Sequence, residues 1–387
     1  MELYLHVPFC VSKCAYCDFL SAPAEEETIE GYVQAVIVEI HAYGSRYADR
    51  PVTSIFFGGG TPSILRGEQL QRLMDALCKQ FCIAADAEIT MEMNPGTVTK
   101  EKLLAYKGAG INRISIGLQS VNDRELRMLG RIHTYAQFLE TYEMARALGY
   151  ENINVDLISA IPGQSVESWG YTLETIIKLN PEHISAYSLI VEEGTPFFTV
   201  YGEGETDAAL YSPLPDEEAE RKMYALTKKI MEQYGYHRYE ISNYAKAGYE
   251  CQHNIGYWNR TDYLGIGLGA SSLMDEVRFT RVAELGRYLR LCEQKDGEEL
   301  LSALTENEEV LTRQAQMEEF MFLGLRMMQG VSKKNFFRCF GQSIHGIYGA
   351  VMKRLMESSL LREEGDAVML TEKGIDVSNQ VMSEFLL

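Results

Sequence analysis

The 387 residues contain no apolar run long enough to span a bilayer, and the first residues show neither the basic region nor the apolar stretch of a secretory leader. A cytoplasmic protein is therefore expected. Positive charge is also short: 36 Lys and Arg against 55 Asp and Glu leave a net charge of -19. Phosphate binding relies on a Lys/Arg excess that releases counterions, so no nucleic-acid partner is expected, although a local basic patch stays compatible with the total. CxxCH does not occur, which excludes the ordinary covalent attachment of a c-type haem. Of the eight cysteines three stand together and the rest are scattered, which suits a reducing compartment better than a disulfide scaffold. The remainder is ordinary for a globular chain, with 46% hydrophobic and 24% charged residues and a length that suggests two domains.

What is present is concentrated in Cys10-Val11-Ser12-Lys13-Cys14-Ala15-Tyr16-Cys17, which follows the apolar segment Leu3 to Val7. Three thiolates on one short loop can grip three irons of a [4Fe-4S] cube and leave the fourth open to a small molecule. Zinc is the rival reading, and a disulfide framework the next. Zinc favours four closed ligands, usually as two short Cys/His pairs, and no second pair stands nearby. The company of the motif sharpens the choice. Tyr16 and Phe19 flank the last cysteine, and Gly58-Gly59-Gly60-Thr61-Pro62 follows a second apolar segment.

Together these residues resemble the radical S-adenosylmethionine (SAM) superfamily. The resemblance implies that the open iron chelates the amino and carboxylate groups of SAM, and that an electron from the reduced cluster cleaves the sulfonium bond to a 5'-deoxyadenosyl radical. It also implies a partial (β/α)6 barrel.

The patterning agrees with an α/β fold. Strand-like segments at Leu3 to Val7, Ser54 to Phe57, Ala87 to Met93, Arg113 to Leu118, Ile153 to Ile158 and Ile184 to Ile190 alternate with helical ones, which predicts a parallel sheet with right-handed crossovers. Periodicity alone does not choose a barrel over a doubly wound sheet. Cys10, Gly58, Glu92, Gln119, Asp156 and Tyr187 all fall at or just past strand ends, the catalytic face of barrels. Residues 194–215 look like a surface excursion, and Asp216 to Tyr234 like a long charged helix. The glycines of Tyr263 to Ala270 read as sites of close backbone packing rather than a phosphate loop. From Asp296 the composition changes to three helices and a hairpin turning at Gly365-Asp366, which resembles a winged-helix α+β domain whose acidic hairpin favours a protein contact or a lid over DNA. The expected division is 1–200 barrel, 201–295 barrel extension and 296–387 C-terminal domain.

The whole chain resembles the oxygen-independent coproporphyrinogen III oxidase-like family. The resemblance implies that Cys10, Cys14 and Cys17 hold the cluster, and that SAM sits on the backbone of Gly58, Gly59, Gly60 and Thr61. Glu92 would accept the ribose hydroxyls, and Tyr4, Tyr16, Gln119, Arg131 and Asp156 match further SAM or substrate contacts. His253 opens His253-Asn254-Ile255-Gly256-Tyr257-Trp258, which resembles the HNxxYW motif of the haem chaperones in this family. Imidazole is a common axial haem ligand, and Tyr257 and Trp258 could stack on a porphyrin; His133 and Cys251 are rival ligands. A true oxidase of this type carries a further cysteine two residues past the third, where this chain has Phe19, and an N-terminal extension that this chain is expected to lack. The expected function is therefore a chaperone that binds haem, or a related tetrapyrrole, and hands it to a client haemoprotein, with an unidentified electron donor. The alternatives are oxidative decarboxylation of coproporphyrinogen III and SAM cleavage for an unrelated substrate. Cys78, Cys82, Cys292 and Cys339 are expected to be core thiols, and Met317, Met321, Met327 and Met328 core filler.

Overall fold

The computed structural model describes residues 1–44, 46–202 and 211–387, so part of the excursion expected at 194–215 lies outside the described residues. Six strands pair in parallel, each with the next in the chain: β1 (Glu2–Val7), β2 (Pro51–Gly59), β3 (Cys82–Met93), β4 (Arg113–Gln119), β5 (Ile153–Ser159) and β6 (His183–Ser188). Between them run α1 (Glu26–Ala42), α2 (Gly67–Gln80), α3 (Lys100–Gly108), α4 (Asp123–Met128), α5 (Tyr135–Ala147) and α6 (Val166–Ile177). The strands are covered on both faces, with apolar residues toward the crossover helices; all seven residues of β4 are buried. Helix starts follow local chemistry. Thr99 caps α3 by accepting from the Lys102 amide at 3.3 Å, and Thr134 with Gln137 forms a capping box on α5.

The excursion contains α7 (Pro196–Tyr201), and α8 (Glu217–Gln233) follows it. The short strands β7 (His237–Arg238) and β8 (Asn243–Ala245) then extend the sheet antiparallel beyond β6. The chain returns through α9 (Gln252–Trp258) to β9 (Tyr263–Ile266), which lies parallel to β1 on the opposite side. Beyond it come β10 (Ser271–Met274), β11 (Val277–Arg281), α10 (Leu285–Gln294), α11 (Gly297–Leu304) and β12 (Thr305–Val310). The sheet order β12-β11-β10-β9-β1-β2-β3-β4-β5-β6-β8-β7 is open at both ends, so this is a partial barrel. The glycines near β9 do serve close packing: a Cβ on Gly265 would meet the Ser271 carbonyl oxygen at 2.2 Å.

A second core gathers around Met321, Phe336, Tyr348, Met352 and Phe385. It is built by α12 (Arg313–Gly324), α13 (Lys333–Phe340), α14 (Ile344–Glu357), α15 (Glu372–Asp376) and α16 (Ser378–Ser383), with the sheet β13 (Val331–Ser332), β14 (Leu361–Glu364) and β15 (Ala367–Leu370). Helices with a β14–β15 hairpin give the expected winged-helix-like arrangement. Residues 297–310 do not join it: Leu300, Leu301 and Leu304 sit in the barrel core and β12 pairs with β11. Three of the expected core thiols are exposed. Cys78 is one residue past the inward Leu77 on α2, Cys82 is the first residue of β3, and Cys339 lies between the inward Phe336 and Phe340. Cys292 is buried as expected, and so are Met317, Met321 and Met327, with Met328 packed against the second core.

Strand register stacks the barrel interior in layers. Glu2, Ser54 and Glu88 are register partners at the floor; Tyr4, Phe56, Thr90 and Arg113 form the next layer; His6 pairs with Gly58, and Glu92 with Ser115, above them. A lumen with so many polar side chains is unlike the aliphatic filling of an ordinary (β/α)8 barrel. It places charge at both ends of the strands.

Candidate functional site

At the mouth, the cysteine loop after β1 is sewn to the tops of neighbouring strands. Phe9 bridges Ala22, the Thr61 amide donates to the Phe9 carbonyl at 2.8 Å, and the Ala15 amide donates to Leu129 at 3.0 Å. The glycine run makes the approach feasible. A Cβ on Gly60 would sit 2.6 Å from the Phe9 carbonyl oxygen, and Gly59 has φ of 105° with the His6 ring 2.4 Å from where its Cβ would be. Gly58 faces Tyr4 and the Glu92 carboxyl instead.

Two of the three sulfurs accept side-chain hydrogen bonds, from Thr61 Oγ1 to Cys10 at 3.3 Å and from Arg131 Nη1 to Cys14 at 3.6 Å. Asn94 closes the circuit: its Nδ2 donates to Thr61 Oγ1 at 2.8 Å, and its Oδ1 accepts from Arg131 Nη2 at 2.7 Å. Arg131 Nη2 also donates to the Gly117 carbonyl at 2.5 Å. Burial pushes the Cys17 thiol up, and the neighbouring Cys14 and Cys10 add to the shift. Three thiols this close, with donors already aimed at sulfur, are a fit donor set for an iron–sulfur cube. Among the described residues no three Cys, His, Asp or Glu groups converge on one point as a single-ion site requires, whereas a cube takes each sulfur on a different iron.

Beside the loop lies a cleft open to solvent, lined by Ser12, Cys14, Thr61, Asn94, Arg131 and His133 among others. Below it the Glu92 carboxyl is pushed up to about 8 by burial and by Asp156, against the pull of the Gly59 amide and of Arg113. Asp156 is raised by burial although Ser115 Oγ donates to it at 2.9 Å and Asn154 Nδ2 at 2.7 Å. Gln119 ends β4 at a bulge with φ of 75°, a left-handed conformation that costs a residue with a Cβ about 1 kcal/mol or more. Burial holds the Tyr16 phenol up, with Cys14 and Cys17 adding to the shift and Arg131 opposing it. Tyr4 sits one layer lower, its hydroxyl 3.1 Å from His6 Nδ1. The structure thus gathers the cysteines, the glycine loop, Tyr16, Glu92, Gln119, Arg131 and Asp156 at one end. Phe19 stands exposed on the cluster loop.

His253 is at the other end. Helix α9 closes the floor, its first amides held by Glu88, which accepts from Gln252 N at 3.1 Å, His253 N at 3.3 Å and Cys251 Sγ at 3.4 Å. The His253 ring is 1% exposed and lies between Phe56 at 5.1 Å and the edge of Tyr257 at 4.8 Å. Its Nδ1 is 2.8 Å from Ser54 Oγ, while Nε2 has no hydrogen-bond partner. Burial and the charge of Arg113 lower its pKa to about 3, so the ring is neutral. Gly256 lies against the Glu2 carboxyl, where a Cβ would come within 1.9 Å of Oε1. Of the rival ligands, His133 faces the mouth cleft with Nε2 3.2 Å from the Leu118 carbonyl, and Cys251 is buried on Glu88.

Sequence reasoning singled out neither Asn94, which joins the two halves of the cysteine loop's support, nor Arg113, the fully buried guanidinium in the lumen. Asn94 stands two residues past Glu92, so strand-end position was a usable signal. Arg113 at a strand start carried none.

Residues 4–176 match the family model described as Radical SAM superfamily, and residues 311–377 the model described as HemN C-terminal domain. The chain is 37% identical to the heme chaperone HemW of Bacillus subtilis (strain 168), covering 99% of this chain and 98% of that protein. With the heme chaperone HemW of Escherichia coli (strain K12) the identity is 41%, over 70% of this chain and 69% of the relative. Among solved structures, coproporphyrinogen III oxidase (HemN) from Escherichia coli superposes with a TM-score of 0.84 at 23% identity, covering 100% of this chain and 89% of the other, which shows the common fold. No helix among the described residues is long and apolar enough to cross a membrane.

Proposed function

Because the chain belongs to the heme chaperone HemW family of radical SAM proteins, we propose that it binds haem and passes it to a client haemoprotein. A [4Fe-4S] cluster and SAM are the cofactors of this superfamily, and Cys10, Cys14 and Cys17 are the residues that would hold the cluster. Bound there and reduced, such a cluster would supply one electron to the sulfonium bond of SAM. The chain's own residues orient and shield: Arg131 and Thr61 place positive ends of hydrogen bonds on two sulfurs and stabilise their thiolate charge. Glu92, uncharged at neutral pH without a partner, would be drawn down by hydroxyl donors of a ribose reaching it past Gly58.

The observation that carries the haem reading is the His253 imidazole, neutral and with Nε2 unpartnered. In the tautomer with Nδ1–H toward Ser54 Oγ, the Nε2 lone pair is free and would be the atom to take a haem iron. Haem titration of the wild type and His253→Ala tests it: the wild type is expected to give a stoichiometric spectral change, and the variant to weaken binding at least tenfold. Unchanged affinity and stoichiometry would remove the role from His253. A parallel anaerobic incubation of the reconstituted protein with SAM, reductant and coproporphyrinogen III, beside a working decarboxylase, is expected to leave the substrate intact. Stoichiometric vinyl formation would overturn a chaperone-only function.

A further inference from the structure

His253 meets a physical obstacle: its Nε2 is sealed under α9, so ligand reaches it only if α9 moves. What holds α9 comes from two directions. From the barrel, Glu88 accepts from its first amides and Ser54 meets the His253 ring. From the C-terminal domain, the segment after α12 is laid across the far end of the helix. Arg326 places its guanidinium 4.3 Å from the centroid of the Trp258 ring, the last residue of α9. Met327 bridges Glu240 and packs in one cluster with Cys251 and Trp258, and the Met328 amide donates to the Tyr239 carbonyl at 2.9 Å. Just past α9, Arg260 pairs with Glu319 of α12 at 3.0 Å.

These ties differ in accessibility. The Arg260 and Glu319 side chains are each 7% exposed, whereas that of Arg326 is 25% exposed and its nearest carboxylate, Glu240, is 3.7 Å away. Arg326 Nε and Trp258 Nε1 have no hydrogen-bond partners, so the stacked pair is held by the ring face and the charge rather than by a directional bond. It is the contact a partner touching the C-terminal domain reaches from solvent.

We propose that Arg326 is a positioning residue for haem uptake: stacked on Trp258 it latches α9 over the barrel floor, and its release exposes His253 Nε2 to haem. The proposal rests on the haem-chaperone reading for its ligand, but the latch itself is measurable without haem. Cys251, fully buried at the start of α9, reports the helix lifting, and Cys292, buried in α10, reports general loosening. In the cluster-loaded protein with the exposed thiols replaced (Cys78→Ser, Cys82→Ser, Cys339→Ser), maleimide labelling under anaerobic conditions is followed at both sites.

Arg326→Met is expected to speed Cys251 labelling about tenfold, the loss of one desolvated cation–π contact, with Cys292 unchanged. Arg326→Lys, which keeps the charge beside Glu240, is expected to fall between. Amide exchange of residues 252–258 should rise in parallel, and haem association should quicken by the same factor. Unchanged Cys251 labelling in both variants, or an equal rise at Cys292, would overturn the latch. Faster labelling with an unchanged haem association rate would overturn its role in uptake. If no variant and no wild type takes up haem while Cys251 still responds, the latch stands and the chaperone reading falls.

Discussion

At the mouth of the barrel the chemically active side chains hang from loops beyond the strand ends; at the floor they are packed inside a helix that closes the lumen. The mouth is nearly complete as it stands. Its sulfurs already accept hydrogen bonds, Asn94 ties Thr61 to Arg131, and a cleft opens beside them. Buried polar atoms without partners occur at both ends, Arg131 Nε at the mouth and His253 Nε2 and Glu2 Oε2 at the floor. Buried polar groups are normally satisfied, and each exception costs about 1–3 kcal/mol. The mouth residues tie the cysteine loop to the strand ends, and the floor residues tie α9 to the barrel.

The largest test of that contrast separates the ends outright. Replacing Cys14 with Ala is expected to abolish reconstituted iron and sulfide while leaving haem affinity within about threefold, and His253→Ala to do the reverse. Metal and sulfide analysis beside haem titration reads both. If either variant loses both ligands, the ends are one site and the contrast fails.

Much of the mouth was legible in the sequence because loops carry function in short, contiguous signatures: CxxxCxxC and the glycine run name their own neighbours. Strand alternation with helices predicted β1 to β6 within three residues at each end, except that β3 begins five residues before Ala87. The floor was not legible in the same way. His253 was found by motif, but nothing in local spacing says that α9 tucks beneath Ser54 and Glu88, nearly two hundred residues earlier, rather than facing solvent. The division at Asp296 followed composition, which changes there, whereas packing changes only after β12, because an exposed edge strand and its helix look polar in sequence yet belong to the first core. Cys78 and Cys339 were misread as core for a related reason: cysteine is commonly buried, but one helical step of 100° from Leu77 or Phe340 turns a side chain out.

The next test is smaller and confined to the floor. Gly256→Ala adds a Cβ where the Glu2 carboxyl lies, within 1.9 Å, so the Glu2 side chain, α9 or β1 must shift. Overpacking of this kind costs about 1–3 kcal/mol, seen as a lower midpoint in denaturant and faster exchange of the α9 amides. Glu2→Ala in the same chain should recover most of the loss, since the two positions share one space. An undiminished penalty in the double variant would mean that Gly256 is needed for its backbone and not for the approach of Glu2.

The gentlest probe is pH, and its sign follows from the two floor groups. Burial raises the Glu2 carboxyl from 4.5 to about 8, so the folded protein keeps a proton that the unfolded chain has lost; its stability is full below pH 4.5 and declines as pH rises toward 8. His253, lowered from 6.5 to about 3, acts oppositely, with full stability above pH 6.5 and loss as pH falls toward 3. Between pH 6.5 and 8 only the carboxyl slope remains from this pair, about 1.4 kcal/mol per pH unit at most for one group. Glu92 at the mouth, also near 8, adds a slope of the same sign. Glu2→Gln should therefore flatten the decline by about half and leave the rest to Glu92, while Glu92→Gln should do the complementary thing. Denaturant midpoints across that window decide it. A Glu2→Gln curve that still falls as steeply as the wild type would mean that the carboxyl is already ionised in the folded state, and that α9 admits more water to the floor than its closed packing implies.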